Sequence, residues 1–462
     1  MLVAALRSGE CLRGPSLIRA YCGLSVSHMH ASTDPLLPLW FATATPLRVA
    51  AESKAELDLS HADCVVIGAG VTGLSAALHL AEGGAKVVLL EREEPGFGTS
   101  GRANGQIIAG LQKSPDAVLA AHGREVGERM IEFGGAAPAF LFDLIERHGI
   151  HCDAERSGWV QATRSEQQLP ELHKLAYSWA WRGAPVRMLD RAETASVLGT
   201  QAYAGGWLDQ RNGTVQPLSY ARGLAAAAER AGVTIYRGVE VTRLERHNRR
   251  WQITSNRGQF SAETVVLATN VFTHELSGVV RSLLGRAYLS AYSVQLASEP
   301  LDAAQLASVL PRRHSCGDTG HLRLRYFRLD RDNRFVIGGP GWLRAPQSRT
   351  SMSFRILAAS ARRMFPQLAN TRFRYRWFAR DTLTADLLPH LYEPCAGLFS
   401  ALGYNGRGLA IGTSLGSVLA RRVLGEAASS LPYPLTHASR TPMNLPATAK
   451  FYLCSMLDRW RH

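Results

Sequence analysis

Lysine is almost missing from this chain of 462 residues: Lys54, Lys86, Lys113, Lys174 and Lys450 are the whole set, although lysine and arginine together number 52. The formal charge of +14 is therefore an arginine charge, spread along the sequence. It lacks the clustered patch that a nucleic-acid surface needs, so no nucleic-acid partner is expected. The densest run, Arg372, Arg374 and Arg376 alternating with Phe373, Tyr375 and Trp377, reads as a strand with one solvated basic face. Long apolar runs are also missing. None reaches the roughly 18 residues of a membrane helix. The nearest, Gly408 to Ala420, is too short and carries Thr413, Ser414 and Ser417, so no integral membrane segment is expected. The seven cysteines form an odd set without a CxxC pair. That argues against a disulfide framework and against a metal site, and for a reducing compartment. No Ser/His/Asp arrangement stands out, and His274 and His390 are isolated histidines of the kind that are more often structural.

What is present is concentrated between Asp63 and Gln106. Cys64 to Ile67 is a short apolar run of strand length, and Gly68-Ala69-Gly70-Val71-Thr72-Gly73 follows at once. Leu74, Ala77, Leu78 and Leu80 then recur at helical spacing, and a second buried run from Lys86 to Leu90 ends in Glu91, with Arg92 beside it. Strand, glycine turn, helix, strand and acid form the order of a dinucleotide site. Gly68 permits the tight turn, Gly70 lets a pyrophosphate approach, and Gly73 lets the helix close on the strand. The free N–H groups at the helix start hold phosphate charge. Glu91 is placed to accept hydrogen bonds from a ribose diol and argues against a 2′-phosphate. The motif alone does not separate FAD from NAD.

The next segment does. Pro95 to Gln106 carries four glycines, Gly96, Gly98, Gly101 and Gly105, in a stretch too polar for a strand and too glycine-rich for a helix. With it the chain resembles the FAD-dependent amine and amino-acid oxidoreductases of the D-amino-acid oxidase superfamily, nearest the γ-glutamylputrescine oxidase branch. That resemblance implies that Ser100, Gly101, Arg102, Asn104, Gly105 and Gln106 run beside the flavin. It also implies that the backbone of Val241 meets the adenine and that Ala268-Thr269-Asn270 turn beneath the dinucleotide. Gly403-Tyr404-Asn405-Gly406-Arg407-Gly408 matches the family's late flavin loop, with arginine where many members have histidine. Ala379 stands where glycine is usual. Gly408, Gly412 and Gly416 fall on one face of the following helix, which can therefore approach something very closely.

The fold class implied is α/β with an α+β second domain: a Rossmann-like FAD-binding domain interrupted by a mainly antiparallel substrate domain. The expected divisions are an extension and lead-in over 1–60, FAD-binding segments over 61–112, 205–285 and 377–430, helical and sheet parts of the substrate domain over 113–204 and 286–376, and a tail over 431–462. Gly205 to Gly213 reads as turn-rich. In His321 to Leu329, alternation puts Arg323, Arg325 and Phe327 on one face and Tyr326 and Arg328 on the other. Related oxidases hold substrate over the flavin with a tyrosine and an arginine, so Tyr326 and Arg328 are the candidates for that role.

Residues 1–28, with Arg7, Arg13 and Arg19 and the single acid Glu10, suit a mitochondrial presequence cut near Arg19-Ala20-Tyr21. A mis-assigned start upstream of Met29 in a bacterial gene is preferred, which makes the protein cytoplasmic rather than mitochondrial. The implied reaction is oxidation of a C–N bond in a small amine or amino acid, by hydride transfer to noncovalent FAD. The acceptor is O₂, or another oxidant, because the chain has no lysine between Lys174 and Lys450 to activate oxygen. A flavoprotein assisting respiratory-complex assembly is the competing reading.

Overall fold

Two runs buried on both faces begin the first layer. Cys64–Ile67 and Val87–Leu90 are four residues each, and every one is buried, as in a parallel sheet covered on both sides. They sit together inside a seven-stranded sheet. Beyond Cys64–Ile67 come Thr264–Leu267, Leu398–Leu402, His390–Cys395 and Leu435–Thr436; beyond Val87–Leu90 comes Thr234–Tyr236. Every pairing is parallel except Leu398–Leu402 with His390–Cys395. Segments far apart in the chain thus share one sheet, and the domain is interrupted as its sequence implied. This computed structural model describes residues 36, 38–47, 57, 62–285, 287–319, 324–341 and 352–436, all within the unit Pro35–His462. The presequence-like residues 1–28, Arg323 and all but 431–436 of the expected tail lie outside them. Among the described residues no helix is long and apolar enough to cross a membrane.

The intervening chain builds an eight-stranded sheet in the order Phe373–Leu383, Leu289–Pro300, Arg334–Pro340, Tyr326–Leu329, Ser315–Asp318, Trp159–Thr163, Gly205–Asp209, Val186–Leu189. All its pairings are antiparallel but one, between Ser315–Asp318 and Trp159–Thr163. Two expected divisions cut across elements of the structure. Phe373–Leu383 is one continuous strand, paired along its length with Leu289–Pro300, so the boundary drawn after Arg376 cuts through it. Gly205–Asp209 is a fully buried strand of the second sheet, not a turn. Its glycines answer to packing, since a Cβ on Gly206 would lie 2.5 Å from the Gln161 carbonyl oxygen on the neighbouring strand.

The lead-in also contributes to the fold. Helix Leu39–Thr43 buries Leu39 and Trp40, and the Trp40 indole donates to the Ala103 carbonyl at 2.7 Å. Gln216 Nε2 donates in turn to the Trp40 carbonyl at 2.8 Å. This short segment therefore belongs to the fold and clamps the loop that follows the glycine turn.

Candidate active site

Two helices start at one cavity. Helix Val71–Glu82 begins after Gly70 and helix Gly408–Val423 after Arg407, and neither has a side-chain cap. Residues at both starts line a cavity of about 930 Å³. The helices converge because side chains are missing where they meet. A Cβ on Gly412 would lie 2.9 Å from Thr72 Oγ1, and one on Gly416 would lie 2.5 Å from the Thr72 carbonyl oxygen. Ser75 Oγ donates to the Thr413 carbonyl at 2.7 Å, and the Thr72 and Tyr404 hydroxyls are 2.7 Å apart. What the glycine face approaches is thus the first helix. Unpaired N–H groups and aligned dipoles at both starts favour negative charge in the space between them.

The glycine turn is set by backbone contacts. Gly68 has φ +102°, and a Cβ on Gly73 would lie 2.0 Å from the Gly68 carbonyl oxygen. One on Gly70 would sit 3.1 Å from Ser100 Oγ, the atom that accepts from the Val71 N–H at 3.1 Å. Glu91 accepts from the N–H groups of Ala69 (2.6 Å) and Glu93 (2.9 Å). Burial pushes its carboxyl above the usual range, and its remaining lone pairs are available to hydroxyl donors. Arg92 pairs with Glu275 at 3.2 Å and lies over the Phe272 ring. Val241, Ala268, Thr269 and Asn270 continue the lining.

The loop from Ser100 to Gln106 is fixed from behind. Arg102 is stacked on the rings of Phe41 and Phe97, at 4.9 and 4.4 Å from their centroids. Its carbonyl accepts from Gln295 Nε2 (2.8 Å) and Trp377 Nε1 (3.0 Å). Gln106 Nε2 donates to the carbonyls of Cys316 and Phe327, both at 3.1 Å. Asn104 donates to Gln295 at 3.3 Å, but its buried side-chain oxygen has no partner among the described residues. Of the residues expected to hold the cofactor or the substrate, Gly73, Gly101, Arg102, Gly403 and Arg328 stand behind the cavity wall. The others line it.

Tyr326 and Arg328 share a face but not a place. Tyr326 lines the cavity, and burial pushes its phenol up to about 12. Arg328 is buried beneath the loop, donating to the carbonyls of Asn104 and Val215, both at 2.8 Å, with its guanidinium over the Trp40 ring. Burial lowers it to about 10, so it remains a cation at neutral pH. The substrate contact expected of Arg328 is corrected on this ground: its donors are spent on backbone. Arg407 does face the cavity, with its guanidinium against Gln112 Oε1 (3.1 Å) and the Gly110 carbonyl (3.3 Å).

Sequence reading missed Gln295 and Asp381, which also line the cavity. Both lie on strands whose odd-numbered residues turn inward: Ala291, Ser293 and Gln295 on one, Ala379, Asp381 and Leu383 on the other. An acid at an inward position of an alternating run was the available signal.

The family model described as FAD dependent oxidoreductase matches residues 63–422. The chain belongs to that family. It is 29% identical over 412 residues to the probable oxidoreductase OrdL of Haemophilus influenzae, covering 87% of this chain and 93% of that protein. It is 29% identical over 397 residues to the gamma-glutamylputrescine oxidoreductase of Escherichia coli, covering 84% and 90%. The crystal structure of glycine oxidase from Geobacillus kaustophilus matches in fold, with a TM-score of 0.68 at 22% identity over 81% of this chain and 98% of that one. This FAD-dependent oxidoreductase acts on amines or amino acids. Its residues fit the cofactor: Gly70 leaves a cradle that a Cβ would fill, two uncapped helix starts favour phosphate and ring charge, and the Asn104 oxygen awaits a donor.

Proposed function

We propose that this oxidoreductase oxidises the C–N bond of a small amine, a polyamine derivative of the γ-glutamylputrescine kind, with noncovalently held FAD and with O₂ as acceptor. The observation that carries the reading is that one cavity joins the dinucleotide wall, from Gly68 to Thr72, to the inward face of the antiparallel sheet with Tyr326. When bound, FAD accepts a hydride from the substrate carbon next to nitrogen. The turn Gly68–Gly73 and the following helix start hold the pyrophosphate, Glu91 the ribose, and Val241 with Ala268 and Thr269 the adenine side. The loops Ser100–Gln106 and Gly403–Gly408 enclose the ring, while Tyr326 orients the amine and helps exclude water. No cysteine lines the cavity among the described residues, which supports noncovalent binding. The free thiols Cys64, Cys152, Cys316 and Cys395 support the cytoplasm as its compartment.

A dehydrogenase with another acceptor is the second reading, favoured by the lack of a lysine among the described residues lining the cavity. Anaerobic mixing of the yellow protein with a panel of amines and amino acids decides both points. Bleaching of the flavin band by a polyamine derivative, and its rapid return on admitting air, is the expected result. Bleaching that air does not reverse but an artificial quinone does assigns the dehydrogenase. No bleaching across the panel removes the amine-oxidising reading.

A further inference from the structure

The inward face of strand Phe373–Leu383 places one acid between two apolar residues. Ala379, Asp381 and Leu383 all line the cavity. The Asp381 carboxylate accepts from the Thr382 N–H at 2.8 Å and faces Gly406 of the late loop, and no cation pairs with it among the described residues. Packing around it removes part of its water, and the side chain is half-buried at the cavity wall. That loss of water pushes its carboxyl up to about 6, so the group is ionised at neutral pH.

Of the other acids on the wall, Glu91 is bonded to two backbone N–H groups on the dinucleotide side, and two more already hold cations. Asp318 holds Arg164 at 3.0 Å, and Glu275 holds both Arg92 and Arg380. The arginines on the wall are engaged as well: Arg92 with Glu275, Arg407 with the Gly110 carbonyl and Gln112. A carboxylate facing a closed site with only neutral donors is poorly compensated, and a ligand cation would complete it.

We propose that Asp381 is the anchor for the substrate's ammonium group, and that it restricts the site to amines whose nitrogen has no neighbouring carboxylate. The proposal rests on the amine-oxidising reading and names the substrate class within it. An α-amino acid would bring its own carboxylate, two bonds from nitrogen, against that of Asp381, and like charges so close in a shielded site repel strongly. The anchor also suits the chemistry. An ammonium must shed a proton before the neighbouring carbon can give up a hydride. Passing that proton to the Asp381 oxygen leaves a neutral amine and a neutral acid, with charge and atoms balanced.

Other titratable groups surround the site. Tyr292 and Tyr326 come from neighbouring strands, His274 and Glu275 from the turn Asn270–Glu275, Tyr404 and Arg407 from the late loop, and Arg380 from the same strand. The His274 Nδ1 is bound to the Val271 carbonyl at 2.7 Å.

The test is calorimetric titration of the FAD-loaded protein with tert-butylammonium, which has no hydrogen on the carbon next to nitrogen and so cannot be oxidised. Failure of the anchor is thereby separated from failure of the amine-oxidising reading. The cation is expected to bind while pivalate does not, with affinity rising about tenfold between pH 5 and pH 7 as a group of pKa near 6 ionises. D381N should bind the cation at least tenfold more weakly, with a flat pH profile, while H274Q keeps the wild-type profile. Because the folded-state pKa lies above the unfolded one, ionised Asp381 costs stability once the pH rises through about 6. D381N should accordingly retain FAD and melt no lower than wild type at pH 7.5. Should D381N lose its FAD, the wild-type profile and H274Q decide. A flat wild-type profile, equal affinity for pivalate, no binding of tert-butylammonium, or a profile abolished by H274Q overturns the proposal.

Discussion

Replacing Gly73 by alanine yields a protein that is colourless and melts well below wild type. The new Cβ would stand 2.0 Å from the Gly68 carbonyl oxygen and 3.0 Å from the Ala268 Cβ. Neither obstacle has a rotamer to turn. Gly68 N–H is bound to the Leu90 carbonyl at 2.8 Å and Ala268 N–H to that of Ile67 at 2.9 Å, so the sheet holds both in place. The helix cannot retreat freely either, because Gly416 packs on the Thr72 backbone and Ser75 is bonded to Thr413. Overpacking costs about 1–3 kcal/mol where neighbouring side chains can adjust, and a clash with fixed backbone lies at or beyond the upper end. Any shift that relieves it withdraws the helix start from the cavity, so loss of FAD accompanies loss of stability. G84A is the control. Gly84 has open space around its Cβ position but φ +88°, so only local strain of about 1–2 kcal/mol applies, and the protein stays yellow. Absorbance of the purified proteins and their melting temperatures read out both effects; a yellow G73A with an unchanged Tm removes the packing account of the turn.

The contrast between these glycines explains what could be read from the sequence. The dinucleotide half was legible because its signals are local: Gly68, Gly70 and Gly73 act within six residues, and Glu91 follows at a spacing that one strand–helix–strand unit dictates. The second sheet was less legible because its meaning is set by partners distant in the chain. Gly205 and Gly206 look like turn residues until strand Trp159–Thr163 lies against them. Asp381 looks like an ordinary polar residue until pairing with Ala291 turns it inward. Trp40 sits in a segment with no periodic signal, and its role appears only when the Ala103 carbonyl meets its indole. Alternation puts the tyrosine and arginine of strand Tyr326–Leu329 on one face. Alternation cannot tell which of two residues on that face opens to the cavity and which is roofed by a loop more than 200 positions earlier.

Arg328 turns that distinction into a measurement. R328M should lower stability by about 2–4 kcal/mol and weaken FAD binding, while leaving the KM for amine unchanged once FAD is saturating. The side chain satisfies two buried carbonyls of the flavin-side segments, Asn104 and Val215, and each acceptor left unmet costs about 1–3 kcal/mol. Removing a buried cation that has no carboxylate in contact among the described residues returns part of that loss, which is why the sum is not larger. The freed segment is the one that carries Asn104 and Gly105, and Gly105 has φ +89° with Arg328 Nη2 and the Val215 carbonyl both within 2.4 Å of its Cβ position. The loop is therefore shaped around the guanidinium and will not hold its course without it. R328K should fall between, since an ammonium on a flexible stem meets one carbonyl well but not two held apart by a planar fork. A substrate-gripping arginine makes the opposite forecast: KM rises by a hundredfold or more, and Tm and FAD affinity stay where they were. Denaturation curves, FAD titration of the apoprotein and steady-state kinetics on the same three proteins separate a loop support from a substrate ligand.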